Sequence, residues 1–547
     1  MGQHKPSGIK RWFYTTDHSD VGAMYLWHTV FFFVVAGAAA LLFRLELMTP
    51  SAGRFLSQVE FNSLVTLHGG TMIFIVAMSA VAVVGNYFIP PMVGADDMAY
   101  PRANALSYWC MAGGSFLIWV TAVTYVLGVT DLPFNGGWTT YAPLSLRMGL
   151  GGKLWFLGIV LTGTSSTVGS VNFLVTILNE RDPEMGLFDM PVFIWAMAFE
   201  AILAVVALVP LVVAMALTFL EATYGFVFFD PANGGAPILY QHFFWLFGHP
   251  EVYLVLLPFL GSIGEIIPRF SGRPLYGYKW YVAALGFITT MSALVWAHHM
   301  YTTGSLGGAK YGFMLTSLSI TVGFAVLIFS WMATMWGGSI SLKTPMLFSV
   351  GAGIMLILSG LDGIMLGSPV LDEFFQSSYW LVSHFHYTLF GGVIMGFFGA
   401  VYYWFPAMTG RMYNERLGRW HFYFTAVFAP LTFLGLAKLG EQGMIRRYAD
   451  YTYNTGLQST HELTTVAAFL LGVGQVIFVV NALMSLRSGE KTQEPWEEER
   501  KRMPSPEWDG MPYTPPTPSN VSQTSPDGGA DTETGTNVET DGGVEDE

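Results

Sequence analysis

The stretch at residues 241–253, QHFFWLFGHPEVY, places His249, Glu251 and Tyr253 in the middle of a long apolar segment. His249 and Tyr253 are four residues apart and share one face of a helix, whereas Glu251 projects roughly the opposite way. Ionisable groups are costly at membrane depth, so we interpret them as functional where they occur there. The stretch therefore predicts a helix with a ligand pair on one side and a separate proton carrier on the other.

Apolar residues dominate the whole chain. Of its 547 residues, 52% are hydrophobic and only 12% are charged, a composition that excludes an ordinary soluble protein. Runs of about 20 apolar residues, long enough to cross a bilayer, recur at 21–43, 61–90, 104–129, 152–179, 191–221, 238–267, 279–301, 311–336, 344–366, 376–405, 419–440 and 460–486. The sequence therefore predicts an all-α, polytopic membrane protein built as a bundle of twelve transmembrane helices.

Composition also divides the chain into three parts. We expect a cytoplasmic N-terminal segment at 1–20, a twelve-helix domain at 21–487 and a disordered acidic tail at 488–547. After Arg502 the tail has ten acidic residues and no Lys or Arg. Such a polar segment cannot bury enough apolar surface to fold.

The distribution of basic residues predicts the orientation. Lys and Arg are more frequent in the N-terminal segment and in the connections after even-numbered helices than in the opposite connections. By the positive-inside bias, both termini are expected on the cytoplasmic side of the cell (plasma) membrane. The N-terminus lacks the pattern of a removed signal peptide. We expect the protein to be surrounded by membrane lipid and to have no nucleic-acid partner.

Six histidines fall at one predicted level, in the outer half of the membrane: His68, His249, His298, His299, His384 and His386. A single buried histidine is usually a hydrogen-bonded core residue, but six at one depth indicate metal binding, because neutral imidazole ligates copper and iron. His384 and His386 project about 200° apart on a helix and cannot serve one metal. The adjacent pair His298 and His299 can converge with His249. The pattern predicts a three-histidine metal centre and three histidines for haem irons.

Several motifs occur in a fixed order around these histidines: WFYTTDHSDVGAMY, LHGGTMIF, GNYFIPPMVGADDMAYPR, DPANGGAPILYQHFFWLFGHPEVY, VWAHHMYTTG, SHFHYTLFGG and GMIRRY. From about residue 12 to 486, the chain resembles the catalytic subunit I of the haem–copper oxidases, in the type A cytochrome oxidase branch. The resemblance implies two haems and one copper ion, CuB. It assigns His68 and His386 to the low-spin haem iron, His384 to the high-spin haem iron, and His249, His298 and His299 to CuB. It also implies a covalent link between His249 and Tyr253.

The resemblance implies further cofactor contacts. Arg446 and Arg447 match the pair that binds haem propionates, and Trp138 matches an indole donor to them. Arg44 resembles the arginine that contacts the formyl group of the low-spin haem, which suggests a-type haems.

A proton pathway is implied as well. It would begin at Asp97 and end at Glu251. Its polar lining matches Asn86, Asn104, Asn172, Ser165 and Ser166.

The sequence departs from the family in two places. The lysine that names a second proton pathway is replaced by Leu327, and its threonine partner by Phe324. Hydroxyls on the same helix offer a substitute route: Thr316, Ser317, Ser319 and Thr321. The His-Asp pair that helps to bind magnesium becomes Gln376 and Ser377, so no magnesium site is predicted.

These features predict subunit I of a terminal respiratory oxidase that reduces oxygen to water and translocates protons, with Tyr253 and Glu251 as catalytic residues. Cys110 is the one cysteine, so the dinuclear CuA centre would belong to a subunit II that receives electrons from cytochrome c or another small redox protein. A subunit III is also expected. A quinol oxidase is the first alternative, and a haem-free transporter with a histidine proton relay is the second. A nitric oxide reductase is disfavoured, because Tyr253 and the route from Asp97 to Glu251 resemble oxygen reducers.

Overall fold

The computed structural model describes residues 8–130, 134–492 and 495–501. Within these residues, twelve helices are long and apolar enough to cross a membrane. In chain order, α1 to α12 are His18–Glu46, Gln58–Val93, Pro101–Val126, Gly149–Asn179, Val192–Tyr224, Pro237–Ser271, Tyr278–Thr303, Ala309–Met335, Thr344–Gly367, Tyr379–Thr409, Glu415–Glu441 and Thr452–Ser488. Shorter helices occur at Ile9–Tyr14, Pro369–Phe375 and Glu497–Lys501. The described residues form no β-strand, and the predicted all-α bundle of twelve spans is confirmed.

Local signals fix where the spans begin and end. At the start of α2, the Ser57 hydroxyl accepts the Glu60 N–H while the Glu60 carboxylate accepts the Ser57 N–H, a reciprocal cap that satisfies two free donors. The same span ends before Gly94, whose φ of 77° is left-handed and terminates the helix at little steric cost.

Three spans contain non-α segments close to the predicted histidines. A π-helical segment, Thr71–Ala77, follows His68, and another, Tyr387–Ile394, follows His386. The predicted continuous helix over 279–301 is instead interrupted after Ser292, and His298 and His299 lie in the 3-10 segment Trp296–Thr303. Adjacent residues in a 3-10 helix are about 120° apart, rather than the 100° expected of an α-helix.

The most buried spans form the centre of the bundle. In α2, α6 and α10, 83% of an 18-residue apolar stretch is buried, compared with 17% in α1 and α8. These three spans carry His68, His249, His384 and His386, so four of the six predicted ligands lie on the most buried helices.

The start of the predicted disordered tail differs from the structure. Trp496 is buried against Tyr403 and Phe270, and its indole N–H donates to the Tyr403 carbonyl at 3.1 Å. The Ser341 hydroxyl also donates to Glu499 at 2.9 Å. Trp496 and Glu499 thus hold residues 495–501 against the bundle, although the segment is polar on average. The rest of the tail, 502–547, and residues 1–7 of the predicted N-terminal segment lie outside the described residues.

Candidate haem and metal centre

His249 on α6 and the pair His298 and His299 of the 3-10 segment converge into a three-histidine cluster, with one ring nitrogen from each within 4.8 Å of the others. His249 Nδ1 lies 3.1 Å from His299 Nε2. His298 Nδ1 is engaged by the Ser317 hydroxyl at 2.7 Å, which leaves its Nε2 for a ligand. Nitrogen ligands that each lie about 2 Å from one metal are separated by roughly 3–4 Å. The cluster is therefore compatible with a single copper ion.

Neighbouring side chains fix the orientation of His299. The Trp245 indole stacks on its imidazole with centroids 3.9 Å apart and planes 11° apart. The indole N–H in turn donates to the Tyr141 hydroxyl at 2.5 Å. The Gln376 amide donates to the His299 carbonyl at 3.1 Å. Gln376, at one of the two positions where the expected magnesium pair is replaced, thus hydrogen bonds to the backbone of the three-histidine cluster.

Tyr253 lies beside His249, with ring centroids 4.8 Å apart and planes tilted by 50°. His249 Nε2 is buried and has no hydrogen-bond partner among the described residues. With Nδ1 turned toward His299, Nε2 is the nitrogen left for the predicted link to Tyr253.

His68 and His386 face each other across a gap, with rings 6° from parallel and centroids 6.2 Å apart. Their Nδ1 atoms donate to the carbonyls of Ala36 at 3.0 Å and Val382 at 2.8 Å, which leaves both Nε2 atoms free. A metal held about 2 Å from each Nε2 between two facing imidazoles requires centroids roughly 6 Å apart. The spacing would fit a single metal ion held by both histidines.

His384 faces a different helix from His386. A Cβ added at Gly363 of α9 would lie 3.1 Å from His384 Cε1, so glycine leaves the space that this ring occupies. The carboxylate of Asp362 lies 3.7 Å from His384 Nδ1, too far for a hydrogen bond. His384 and His386 therefore project from opposite sides of α10.

A cavity of about 1100 Å³, hereafter the large cavity, connects these groups. All six predicted histidines line it, together with Tyr253 and the expected haem contacts Arg44, Trp138, Arg446 and Arg447. Typical small-molecule pockets measure about 300–1,000 Å³. The large cavity thus suits bulky cofactors.

Arg446 and Arg447 bring two buried cations to one end of the large cavity. Burial lowers the pKa of Arg446 to about 9 and also lowers that of Arg447. Among the described residues neither arginine forms an ion pair, and Arg447 Nη2 has no partner. Buried guanidinium groups need anions to offset desolvation. Carboxylates of a bound cofactor would fit them.

Arg44 is buried on α1 and is held by α12. Its Nη2 donates to the His461 carbonyl at 2.9 Å and to the Thr465 hydroxyl at 3.1 Å. Its Nε and Nη1 are buried and unpartnered among the described residues. The guanidinium is thus fixed at the wall of the large cavity with donors to spare.

The predicted proton pathway begins in the loop between α2 and α3. Asp97 accepts the Met98 N–H at 2.7 Å, and burial raises the pKa of its carboxyl. Asn172 binds both the N–H and the carbonyl of Tyr100. The Asn104 side-chain amide donates to the side-chain oxygen of Asn86, Oδ1, at 2.5 Å. The three asparagines thus lie on neighbouring helices just beyond Asp97.

Further along, hydroxyls connect α1, α3 and α4. The Tyr25 hydroxyl lies 3.0 Å from Ser107 Oγ and 3.1 Å from Ser165 Oγ. Asn86, Ser165 and Ser166 line a second cavity of about 20 Å³, hereafter the small cavity. Glu251 is fully buried, and both of its carboxyl oxygens lack partners among the described residues.

The predicted substitute route on α8 is divided. The hydroxyls of Thr316, Ser317 and Ser319 each donate to a carbonyl of their own helix. Ser317 and Thr321 line the large cavity, and Ser317 reaches His298. Leu327, at the position of the missing lysine, is fully buried.

Sequence reasoning missed Tyr25, Ser107 and Trp245, and it also missed Ser170 and Glu200, which line the small cavity. Glu200 carried a usable signal, since it is the one acidic residue between positions 190 and 220 and intramembrane carboxylates are functional by default. The hydroxyls carried none, because their contacts join distant helices.

Comparisons with known proteins agree with this geometry. The family described as Cytochrome C and Quinol oxidase polypeptide I matches residues 20–477. The chain is 42% identical over 501 residues to a probable cytochrome c oxidase subunit 1-beta of Nocardia farcinica, covering 90% of this chain and 84% of that protein. It is 39% identical over 544 residues to cytochrome c oxidase polypeptide 1 of Halobacterium salinarum, covering 99% of this chain and 90% of that protein. A cryo-EM structure of a heme-copper terminal oxidase dimer has the same fold, with a TM-score of 0.74 and 18% identity over 86% of this chain and 85% of that chain.

Proposed function

The chain belongs to the cytochrome c and quinol oxidase polypeptide I family, and we propose on that premise that it couples oxygen reduction to proton translocation. Membership makes it subunit I of a terminal oxidase, an oxygen-reducing oxidoreductase and a multi-pass membrane protein. The family implies haems, CuB, oxygen as substrate and other oxidase subunits as partners. The three-histidine cluster is compatible with CuB.

We assign the histidines to three metals. His249, His298 and His299 would hold copper, His384 the high-spin haem iron, and His68 and His386 the low-spin haem iron. When bound, these groups supply electron transfer and oxygen binding. The observation that carries the assignment is the pair of parallel rings at 6.2 Å beside a three-histidine cluster in one cavity.

Cationic residues would position the haems. Arg446 and Arg447, with Trp138, would hold the propionates, because both guanidinium groups are buried without a protein anion among the described residues. Arg44 would donate from its unpartnered Nε or Nη1 to a polar ring substituent such as a formyl group. That contact supports a-type haems.

The chain's own residues would supply the protons. Asp97 would collect them at the cytoplasmic side, and the chain of Asn104, Asn86 and Ser165 would lead toward Glu251; Asn172 and Ser166 complete the predicted lining. Tyr253, linked to His249, would deliver a proton and an electron at the oxygen site.

Electrons would enter through a partner subunit. Cys110 is the one cysteine in the sequence, so the chain lacks the thiolates for CuA. We propose a subunit II with CuA that accepts electrons from cytochrome c or another small redox protein, a subunit III, and a plasma-membrane location with both termini cytoplasmic. The alternative quinol oxidase would have a subunit II without copper-binding cysteines, which the partner's sequence decides.

Metal analysis and spectroscopy of the purified protein test the assignment. His298→Ala should lower copper content while the low-spin haem spectrum remains. His28→Ala is a matched control, because His28 is a partly buried histidine on α1 that bonds to Ser115 and does not line the large cavity. Retention of full copper by His298→Ala would contradict the assignment, and purified protein without haem absorption would favour the haem-free transporter.

A further inference from the structure

Glu200 is a buried carboxyl group that the pathway described above does not use. It lies on α5 with 1% of its surface exposed, in the apolar run FIWAMAFEAILAVV. The Ser170 hydroxyl donates to its Oε1 at 3.1 Å. Its Oε2 is buried and has no partner among the described residues. One carboxyl oxygen is therefore open to a further hydrogen bond.

The open carboxyl group borders the small cavity. This cavity of about 20 Å³ lies between α1, α2, α3, α4 and α5. Its polar lining is Tyr25, Asn86, Ser107, Ser165, Ser166, Ser170 and Glu200. A buried water needs about 10–15 Å³ and two to four polar partners. The small cavity meets both conditions for one water beside Glu200.

The charge environment argues against a purely structural ion pair. Among the described residues, no Lys, Arg or His lines the small cavity, and a carboxylate held by one hydroxyl is costly at this depth. A carboxyl group that carries its proton can instead donate as well as accept. On the same wall, the Tyr25 hydroxyl lies 3.0 Å from Ser107 Oγ and 3.1 Å from Ser165 Oγ.

We infer that Glu200 is a proton-exchanging residue on the route from Asp97 to Glu251, placed at the small cavity. This inference rests on the proposed proton pathway. In its protonated form Glu200 releases its proton toward Glu251 as its own O–H bond breaks. The carboxylate then takes a proton at Oε2 from the water of the small cavity, and the next donor on the Asp97 side replaces the proton that the water has lost. It is not among the pathway residues that the family resemblance supplies.

The holoenzyme in lipid vesicles provides the test, with proton uptake and oxygen consumption measured together. Glu200→Gln keeps an acceptor for Ser170 but removes the exchangeable carboxyl proton. We expect proton uptake to slow by roughly tenfold or more, while the haem and carbon monoxide difference spectra stay unchanged. The reduced-minus-oxidised infrared spectrum should lose a carboxylic C=O band. Glu200→Asp, which keeps the acid, should recover part of the rate and retain a shifted band.

Glu221→Gln is the matched control on the same helix. The carboxylate of Glu221 accepts the N–H groups of Phe229 and Asp230, each at 2.9 Å, and it lies outside the small cavity. This control should leave proton uptake and the infrared band unchanged.

Parallel variants separate this inference from the pathway itself. If Asp97→Asn and Glu251→Gln slow proton uptake while Glu200→Gln has the wild-type rate and infrared spectrum, the role of Glu200 is refuted and the pathway stands. If none of the three slows uptake, both fail. Should Glu200→Gln not bind haem, Glu200→Asp decides: slowed uptake with a shifted band supports the inference, and wild-type behaviour in both measurements overturns it.

Discussion

The imidazole rings of His68 and His386 lie 6° from parallel with their centroids 6.2 Å apart, and each ring is anchored at Nδ1 by a backbone carbonyl. The anchors come from Ala36 on α1 and Val382 on α10. The gap between the rings is therefore set by backbone on separate spans. Hydrogen bonds at the ring nitrogen that does not face the gap fix the orientation of the imidazole and the basicity of its other nitrogen. The fold therefore holds the two rings in place.

Substitution of the two classes of haem ligand should have different spectral effects. His384→Ala should abolish carbon monoxide binding and leave the low-spin haem in place, because His384 faces α9 while His386 faces His68. His68→Ala should remove the low-spin spectrum. Absorption spectra of reduced protein with and without carbon monoxide measure both effects. Full carbon monoxide binding by His384→Ala would show that this histidine does not hold the high-spin iron.

Asp97→Asn and Glu251→Gln should each slow oxygen reduction or uncouple it from proton pumping. Each removes one titratable group at an end of the pathway, and proton relays of this kind contribute roughly a hundredfold or more to rate. Proton uptake in vesicles measures the effect. Wild-type rate and stoichiometry in both variants would count against the route.

Asp97 should also make the stability of the folded protein depend on pH. Burial raises the pKa of its carboxyl above the usual aspartate range, so the folded state retains this proton to higher pH than the unfolded chain. Retention of this proton therefore favours the folded state. The contribution to the free energy of unfolding is complete below the pKa of Asp97 in the unfolded chain, and it is lost as pH rises through the pKa of Asp97 in the folded protein. The thermal stability of wild type relative to Asp97→Asn, measured in detergent, should therefore fall across that window. A difference that does not vary with pH would contradict the raised pKa.

Replacing Ser317 and Thr321 together by Val and Ala should slow reduction of the high-spin haem more than that of the low-spin haem. Both hydroxyls line the large cavity, and Ser317 binds His298. A loss of about tenfold corresponds to about 1.4 kcal/mol in barrier height. Stopped-flow reduction without oxygen measures it.

Thr316→Val with Ser319→Ala is the matched control, because these hydroxyls bond only to carbonyls of their own helix among the described residues. Equal rates in both double variants would leave the Asp97 pathway as the source of every proton.

Truncation after Arg502 should leave haem content and oxygen uptake unchanged, because the removed segment has ten acidic residues and no basic ones. Truncation after Ser488 should instead lower thermal stability, since it removes Trp496; loss of a buried tryptophan typically costs about 3–5 kcal/mol. Haem loss after the first truncation would indicate that the tail docks a basic partner.

The spans and the level of the six histidines could be predicted from the sequence, because hydropathy and helical rise depend on short stretches of chain. The 3-10 segment that carries His298 and His299 could not, since its hydrogen-bond pattern depends on packing against α6 and α8. The contact between Ser317 and His298 joins residues 19 positions apart, and no local pattern encodes it. Glu200 was not predicted because the pathway residues were taken from the family resemblance, which supplies only the positions that match the family's motifs.

The π-helical segment Thr71–Ala77 lies between His68 and Asn86 on one continuous span. One extra residue in a helix rotates everything beyond it by about 100°. This insertion therefore sets the rotational angle between the part of α2 that carries His68 and the part that carries Asn86. Deleting a single residue there should keep His68 facing His386 while turning Asn86 away from Asn104, so the length of this one segment determines both contacts.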